Sequence, residues 1–135
     1  MNLVVFSGPP SSGKTSVILK TVDALKQQGI SVGVVKFDCL YTDDDILYEK
    51  AGIPVKKGLS GALCPDHFFV SNIEEVVQWG ISLGLSMLIT ESAGLCNRCS
   101  PYIKEIKGVC VIDNLSGINT PKKIGPMLKS ADIVI

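Results

Sequence analysis

The amino-acid sequence predicts an α/β fold, with a mostly parallel β-sheet flanked by helices. Short β-branched runs alternate with helical patterns along the chain, which is typical of parallel strands joined by helical crossovers. The first apolar run leads directly into a glycine-rich turn, and a helical pattern follows that turn. The chain has 135 residues, of which 46% are hydrophobic, so it can bury one core but is too short for two ordinary domains. We therefore expect residues 1–135 to form a single domain.

The first half of the chain predicts two strands and two helices. The apolar residues of the first helix fall close to one helical face, and Gly29 supplies a stop signal after it. The acidic segment 41–45 predicts a loop suited to a conformational switch, and we expect at least two of its three aspartates to be solvated. The predicted elements are a strand over 3–6, a helix over 15–28, a strand over 32–37 and a short helix over 46–51.

The second half of the chain predicts one helix and three strands. Asn72 and Glu75 have the spacing of a capping box, which marks the start of the helix. The final run over 133–135 is typical of a strand buried on both faces, and chains seldom end at an interior strand. We therefore expect these residues to be the N-terminal part of a longer domain. The predicted elements are a helix over 73–83 and strands over 85–90, 109–112 and 131–135.

A phosphate-binding loop of the form G-x-x-x-x-G-K-[ST] occupies residues 8–15, directly after the first apolar run. A strand that delivers a glycine-bearing turn to a helix N-terminus aims backbone N–H groups at phosphate oxygens. Lys14 supplies a positive charge for the β- and γ-phosphates, and the Thr15 hydroxyl suits the coordination shell of Mg²⁺. The predicted nucleotide-binding residues of this P-loop are Gly8, Pro9, Ser11, Ser12, Gly13, Lys14, Thr15 and Ser16.

Two acidic residues that follow predicted strands are candidates, with Lys14, for catalysis and, with Thr15, for Mg²⁺ binding. Hydrolysis of a nucleotide needs an acidic group near the metal ion and a backbone donor for the γ-phosphate. Glu91 is placed to orient metal-bound or attacking water, and Gly94 offers its N–H to the phosphate. Asp38 is placed to reach Mg²⁺ opposite Thr15, directly or through water.

Charge and hydropathy exclude several classes of partner. Lysine and arginine together number 13, as do aspartate and glutamate, so the net charge of zero indicates neither a nucleic acid nor an acidic membrane surface. No apolar run approaches the roughly 18 residues needed to cross a bilayer, and the N-terminus lacks the pattern of a secretory signal. We therefore expect a cytoplasmic protein without a nucleic-acid or membrane partner.

The five cysteines indicate metal binding rather than a disulfide framework, because their number is odd and the expected compartment is reducing. In Cys64-Pro65-Asp66-His67, a thiolate and an imidazole three positions apart suit a borderline cation such as Ni²⁺ or Zn²⁺. Cys96 and Cys99 form a C-x-x-C directly after Gly94, which would tie a bound metal to the segment that senses the γ-phosphate.

The spacing leaves the ligand set open. The four side chains suit a Cys₃His site, but two chains also suit a bridging nickel or zinc ion or an iron–sulfur cluster, and an exposed redox dithiol is a further alternative. We expect Cys110 to lie in the core and Cys39 to be packed. The candidate transition-metal ligands are Cys64, His67, Cys96 and Cys99.

Taken together, these motifs resemble the urease accessory GTPase and, more broadly, the nickel-insertion GTPases, which include the hydrogenase maturation protein and cobalamin-related metallochaperones. The resemblance implies a dimerising SIMIBI-class P-loop GTPase that couples hydrolysis to metal delivery, with Glu91 and Gly94 as its E-x-x-G motif. Its Cys-Pro-His metal motif is approximated here with Asp66 inserted, and its guanine-reading motif would follow Ile135. The resemblance is carried by the P-loop and by residues 38–42, 91–94, 111–113, 121–126 and 130–132.

The sequence thus predicts a P-loop nucleoside triphosphatase, a GTPase by resemblance, that acts in metallocentre assembly. Its ligands would be GTP or ATP, Mg²⁺, and Ni²⁺ or Zn²⁺. The implied partners are a client metalloenzyme or its maturation proteins, and a second copy in a homodimer. Two alternatives use the same loop: a kinase-type phosphotransferase with an acceptor pocket, and an iron–sulfur or metal-sensing protein whose dimer state is set by nucleotide.

Overall fold

A computed structural model describes residues 1–92, 102–113 and 117–135 of the chain. Within these ranges a parallel sheet of six strands, in the spatial order β3-β2-β4-β1-β5-β6, is packed between helices. The strands are β1 Asn2–Ser7, β2 Val32–Asp38, β3 Val55–Leu59, β4 Met87–Ser92, β5 Lys107–Cys110 and β6 Ile133–Val134. The helices are α1 Lys14–Gln27, α2 Asp44–Lys50, α3 Pro65–Ser71, α4 Ile73–Ser82, α5 Thr120–Lys123 and α6 Gly125–Ser130. The predicted α/β fold with a parallel sheet is confirmed.

The sheet buries apolar side chains on both faces, as parallel sheets do. Because successive side chains of a strand point to opposite faces, alternate residues of β1, β2 and β4 feed two separate clusters. One cluster packs against α1 and α2 and includes Phe6, Ile18, Val34 and Ile89. The other packs against α3 and α4 and includes Val5, Val35, Phe37, Phe69, Val76 and Leu88.

Each element predicted from the sequence is present, with boundaries shifted by a few residues. The largest consequence concerns β4, which extends to Ser92, so Glu91 lies inside the strand rather than after it. Four elements were not predicted. They are β3, at the edge of the sheet, α3, which begins at Pro65 inside the proposed metal motif, and the short helices α5 and α6.

The predicted capping box is wrong. Asn72 does stand at the N-cap of α4, but its side chain makes no cap hydrogen bond there. Its side-chain amide instead donates to the carbonyl oxygen of Phe68 in α3, and Glu75 forms an ion pair with Lys56 on β3. The two polar side chains therefore join α4 to its neighbours instead of closing its first turn.

The last strand occupies the edge of the sheet beyond β5. Ile133, Val134 and Ile135 are each about half exposed, at 54%, 49% and 53%, so the expected burial on both faces is not met in this chain. None of the described helices is both long and apolar enough to cross a membrane.

Candidate nucleotide and magnesium site

The P-loop connects the carboxyl end of β1 to α1, as the sequence predicts. Gly8 has φ of 139°, and a Cβ on this residue would lie 2.1 Å from the carbonyl oxygen of Val111. Gly13, with φ of 90°, precedes the first residue of α1. Only glycine adopts these conformations without strain, so both positions need it to form the turn.

Lys14 folds back over the loop that carries it. Its Nζ donates to the carbonyl oxygens of Gly8 at 3.0 Å and Pro9 at 2.6 Å, with Ser12 Oγ at 3.4 Å. The residue is only 4% exposed. Its positive charge is thus held inside the loop, at the point where a phosphate-binding loop encloses its phosphates.

Glu91, Asp44 and Thr15 meet at the N-terminus of α1. The Thr15 hydroxyl lies 2.9 Å from Glu91 Oε1 and 3.3 Å from Asp44 Oδ2. Lys36 Nζ contacts the same two carboxylate oxygens, at 2.9 Å and 3.0 Å respectively. Lys36 and Glu91 are register partners on β2 and β4, so the sheet itself brings the pair together.

The second oxygen of Glu91 accepts a hydrogen bond from the hydroxyl of Tyr48, at 2.5 Å. Glu91 is only 1% exposed, and Tyr48 on α2 is fully buried. Burial, together with the nearby Glu91 charge, raises the pKa of Tyr48, so its hydroxyl stays protonated and donates. Glu91 is therefore held from three elements, by Thr15 on α1, Lys36 on β2 and Tyr48 on α2.

The side chains of Lys14, Thr15, Lys36 and Glu91 line one cavity of about 430 Å³. Asp38 lines it too, but its Oδ1 accepts from the backbone N–H of Cys39, at 2.8 Å. The residue that contacts Thr15 from the 41–45 segment is Asp44, which the sequence did not single out for this role. The lining residues are 10–16, Lys36, Asp38, 41–44 and Glu91.

The donor set of this cavity fits Mg²⁺, since hydroxyl and carboxylate oxygens are the ligands that this ion takes in proteins. Thr15 and Glu91 lie together, and Asp44 and Asp38 supply further carboxylates that line the same cavity. When bound, the ion would neutralise charge on the β- and γ-phosphates of a nucleotide.

The expectation that at least two of the three aspartates over 43–45 are solvated is wrong. Asp44 is ion-paired with Lys36, and Asp45 is ion-paired with Lys57 at 3.1 Å with its side chain 16% exposed. Only Asp43 of the three is exposed. The start of α2 is thus fixed to β2 and β3 by charge pairs.

The nucleotide affinity is expected to fall above about pH 8 in this protein. Burial lowers the pKa of Lys14 from 10.5 to about 8 in the nucleotide-free state, whereas bound phosphates favour its charged form. Above pH 8 Lys14 must therefore take up a proton when the nucleotide binds, and this requirement weakens the nucleotide affinity by up to about tenfold per pH unit. By the same linkage the nucleotide-free protein gains stability between pH 8 and 10.5, where the unfolded chain holds a proton that the folded chain lacks.

The test is a titration with a fluorescent non-hydrolysable nucleotide between pH 7.5 and 9.5, with Mg²⁺ held constant. A dissociation constant that stays flat to pH 9.5 would contradict the assignment of Lys14 as a phosphate ligand.

Two of the four predicted transition-metal ligands are described by the structure. Cys64 is half-buried at the N-cap of α3, and His67 is exposed in the first turn of that helix. Cys96, Cys99 and the predicted phosphate donor Gly94 lie outside the described residues. Among the described ranges alone, no group of three or more His, Cys, Asp or Glu side chains is arranged to hold a metal ion.

The other two cysteines differ from each other. Cys110 is fully buried, which confirms its place in the core, where it packs with Ile124 and Met127. Cys39 is exposed, so the prediction that it is packed is wrong. It follows the end of β2, where the chain turns out of the sheet into the 41–45 segment.

Asp66, the residue inserted in the Cys-Pro-His-like motif, is fully buried. Its Oδ1 accepts a hydrogen bond from Ser92 Oγ at 2.5 Å, and its Oδ2 has no partner among the described residues. Burial raises the pKa of Asp66 above its ordinary value. Ser92 follows Glu91 in β4 and faces the opposite side of the sheet, so Asp66 contacts the strand that carries Glu91.

The sequence did not identify Lys36 and Tyr48 as hydrogen-bond partners of Glu91. A signal for Lys36 was present, because a lysine that interrupts the apolar strand Val32–Asp38 must find a buried partner. Nothing in the local pattern around Tyr48 distinguishes it from an ordinary core residue of a short helix.

Residues 2–135 match the family model of the CobW/HypB/UreG nucleotide-binding domain. An uncharacterized protein of Methanocaldococcus jannaschii is 53% identical over 135 residues, which is all of this chain and 58% of the relative. The urease accessory protein UreG of Trichodesmium erythraeum is 29% identical over 143 residues, covering 95% of this chain and 65% of the relative. The chain thus spans less than two thirds of either relative.

Among solved structures, HypB from Helicobacter pylori in complex with nickel matches with a TM-score of 0.72. The match covers 99% of this chain and 62% of the HypB chain, at 18% sequence identity. At that identity the likeness supports the fold alone.

Proposed function

Because the chain belongs to the CobW/HypB/UreG family of nucleotide-binding domains, we propose that it is a GTP-hydrolysing metallochaperone. In this role it would bind Ni²⁺ or Zn²⁺ and pass the ion to a client metalloenzyme, or to that enzyme's maturation proteins, with a homodimer as the working form. The observation that carries the proposal is a pair of contacts at the end of β4. Glu91 contacts Thr15 in the nucleotide cavity, and the next residue, Ser92, donates to Asp66 in α3, the helix that Cys64 precedes.

The nucleotide part of the function is supported by the P-loop and the residues around it. Lys14 lies in position to contact the phosphates, and the helix N-terminus at Thr15 favours negative charge. Glu91 is held in place by donors on three elements, which suits a carboxylate that must orient water beside the metal-bound phosphate.

The coupling part is supported by the alternation of side chains along β4. Glu91 points to the face of α1 and α2, and Ser92 points to the face of α3 and α4. Since Ser92 donates to Asp66 in the first turn of α3, a shift of the strand end would move the residue that precedes that helix, Cys64. Nucleotide state would thereby alter the position of a metal ligand.

The transition-metal site is assigned to Cys64 and His67, joined by Cys96 and Cys99 from the segment that follows β4. Thiolate and imidazole ligands suit Ni²⁺ and Zn²⁺, which are borderline cations. Cys64 and His67 are both accessible to solvent, at the start of α3, as an ion that is taken up and released requires.

The test of the proposal is a calorimetric titration of Ni²⁺ and of Zn²⁺, with and without a non-hydrolysable GTP analogue. We expect the metal affinity to differ by about tenfold or more between the two states, which is a typical coupling between sites. Cys64→Ser should weaken metal binding in both states, whereas Cys39→Ser, which removes an exposed cysteine outside the motif, should not. Identical affinities with and without the analogue would contradict the coupling.

The strand contact can be tested separately with Ser92→Ala. This variant loses the hydrogen bond to Asp66, so the nucleotide dependence of metal affinity should shrink while nucleotide affinity stays unchanged. Thr90→Val is the matched control, because Thr90 is buried in the same strand on the same face, and its hydroxyl has no partner among the described residues. If the metal affinity of Ser92→Ala depended on nucleotide as strongly as that of the wild type, the hydrogen bond between Ser92 and Asp66 would not transmit the nucleotide state.

A further inference from the structure

Lys36 is an almost completely buried lysine inside the nucleotide cavity. Its side chain is 3% exposed, and its Nζ lies 2.9 Å from Glu91 Oε1 and 3.0 Å from Asp44 Oδ2. Two carboxylate oxygens thus hold the lysine ammonium group in the cavity, as a buried cation requires.

The oxygens around Lys36 are those expected around a divalent cation. Glu91 Oε1 and Asp44 Oδ2 each contact Thr15 Oγ1 as well as the lysine, so three oxygen atoms gather beside one positive charge. A hydroxyl and two carboxylates at the start of a P-loop helix form the donor set that fits Mg²⁺. A cation from the protein itself thus already neutralises this set.

We propose that Lys36 is a tethered cation that takes the place of the divalent cation in the metal-free site, and that it thereby lowers the dependence of nucleotide binding on Mg²⁺. The inference rests on the proposed nucleotide-binding function and adds a positioning residue to it. In the metal-free site Lys36 keeps Asp44 and Glu91 beside Thr15. With Mg²⁺ bound, Lys36 would give up at least one of those oxygens, and its charge would remain in the cavity proposed to receive the phosphates.

The charges that line the cavity show how removal of Lys36 should change the Mg²⁺ dependence of nucleotide binding. Among the described lining residues, removal of Lys36 leaves a single lysine against the carboxylates, which raises the repulsion of a triphosphate and the attraction of Mg²⁺. Both changes make nucleotide binding more dependent on the ion. The charged lining residues are Lys14 and Lys36 against Asp38, Asp43, Asp44 and Glu91.

The first measurement is the dissociation constant of a fluorescent non-hydrolysable GTP analogue, in EDTA and in millimolar MgCl₂. We expect the ratio of the two constants to be at least about tenfold larger in Lys36→Met than in the wild type. Lys56→Met is the matched control, because it removes a lysine of the neighbouring strand β3 that pairs with Glu75 outside the cavity. Equal ratios in the wild type and Lys36→Met would overturn the inference.

The second measurement needs no nucleotide and records the melting temperature against MgCl₂ concentration. Mg²⁺ alone should raise the melting temperature of Lys36→Met and leave that of the wild type unchanged, since the variant presents the oxygens without a competing charge. If Lys36→Met does not fold, Lys36→Gln replaces it, because it keeps a donor for Glu91 without the charge. A variant that melts independently of Mg²⁺ would overturn the inference.

The two measurements separate this inference from the function on which it rests. If no form of the protein binds nucleotide at any Mg²⁺ concentration, the proposed function fails, and the melting experiment alone decides whether Lys36 competes with the ion.

Discussion

Replacing Lys14 with alanine is expected to abolish nucleotide binding, with a dissociation constant raised by about a hundredfold or more. The lysine amine lies within the P-loop, on the carbonyl oxygens of Gly8 and Pro9, and is placed to exchange these acceptors for phosphate oxygens. A hydrogen bond from a charged donor contributes about 1.5–3 kcal/mol. In the variant the β- and γ-phosphates each lose such a bond from Lys14, which accounts for the expected loss of affinity. The measurement is a direct binding titration with a fluorescent GTP analogue in the presence of Mg²⁺.

The same variant should keep its fold. The lowered pKa of Lys14 means that its charge is disfavoured in the nucleotide-free protein, so its loss removes an unfavourable buried charge along with the loop contacts. We expect the free energy of unfolding to change by about 1 kcal/mol or less. Lys20→Ala, which removes an exposed lysine from the same helix α1, should bind nucleotide like the wild type. Tight binding by Lys14→Ala would refute the phosphate-binding role of the loop.

The P-loop was predictable because all of its determinants are local in the sequence. A buried strand, two glycines with positive φ and a helix start follow one another within residues 2–15, and no distant residue is needed to recognise them. The periodic helices and apolar strands were predictable for the same reason.

The contacts around Glu91 depend instead on the register of distant strands. Lys36 meets Glu91 because β2 pairs with β4 in a register that places these two residues side by side, 55 positions apart in the chain. Tyr48 reaches Glu91 because α2 packs on the same face of the sheet. A single sequence does not specify such pairings, so the partners of the carboxylate emerged only in the structure.

Two of the four unpredicted elements, β3 and α3, were hidden by atypical composition. β3, Val55–Leu59, carries two lysines and a glycine, as edge strands often do, and so lacks the β-branched run that marks an interior strand. α3 starts at Pro65, and proline in the first turn is a helix start signal that the metal motif around it obscured. The sequence pattern therefore presents Asp66 as an insertion between two ligands, whereas its side chain is buried against Ser92.

Replacing Glu91 with alanine is expected to destabilise the nucleotide-free protein by about 3–5 kcal/mol, which is typical when one partner of a buried ion pair is removed. Lys36, with its side chain 3% exposed, would keep only Asp44 as a countercharge, and Tyr48 would lose its acceptor in the core. The measurement is urea unfolding followed by circular dichroism, with Glu75→Ala as control, because Glu75 pairs with Lys56 at the surface, where an ion pair contributes about 1 kcal/mol or less.

The double variant Glu91→Ala with Lys36→Met decides whether the unpaired charge is the cause. If it is, removing Lys36 as well should recover part of the lost stability, so the double variant would be more stable than the sum of the two single changes predicts. Strictly additive losses would mean that Glu91 stabilises the fold through packing and Tyr48 alone. In that case the charge of Lys36 would be satisfied by Asp44 and solvent, and the buried ion pair between β2 and β4 would contribute nothing to the stability of the cavity.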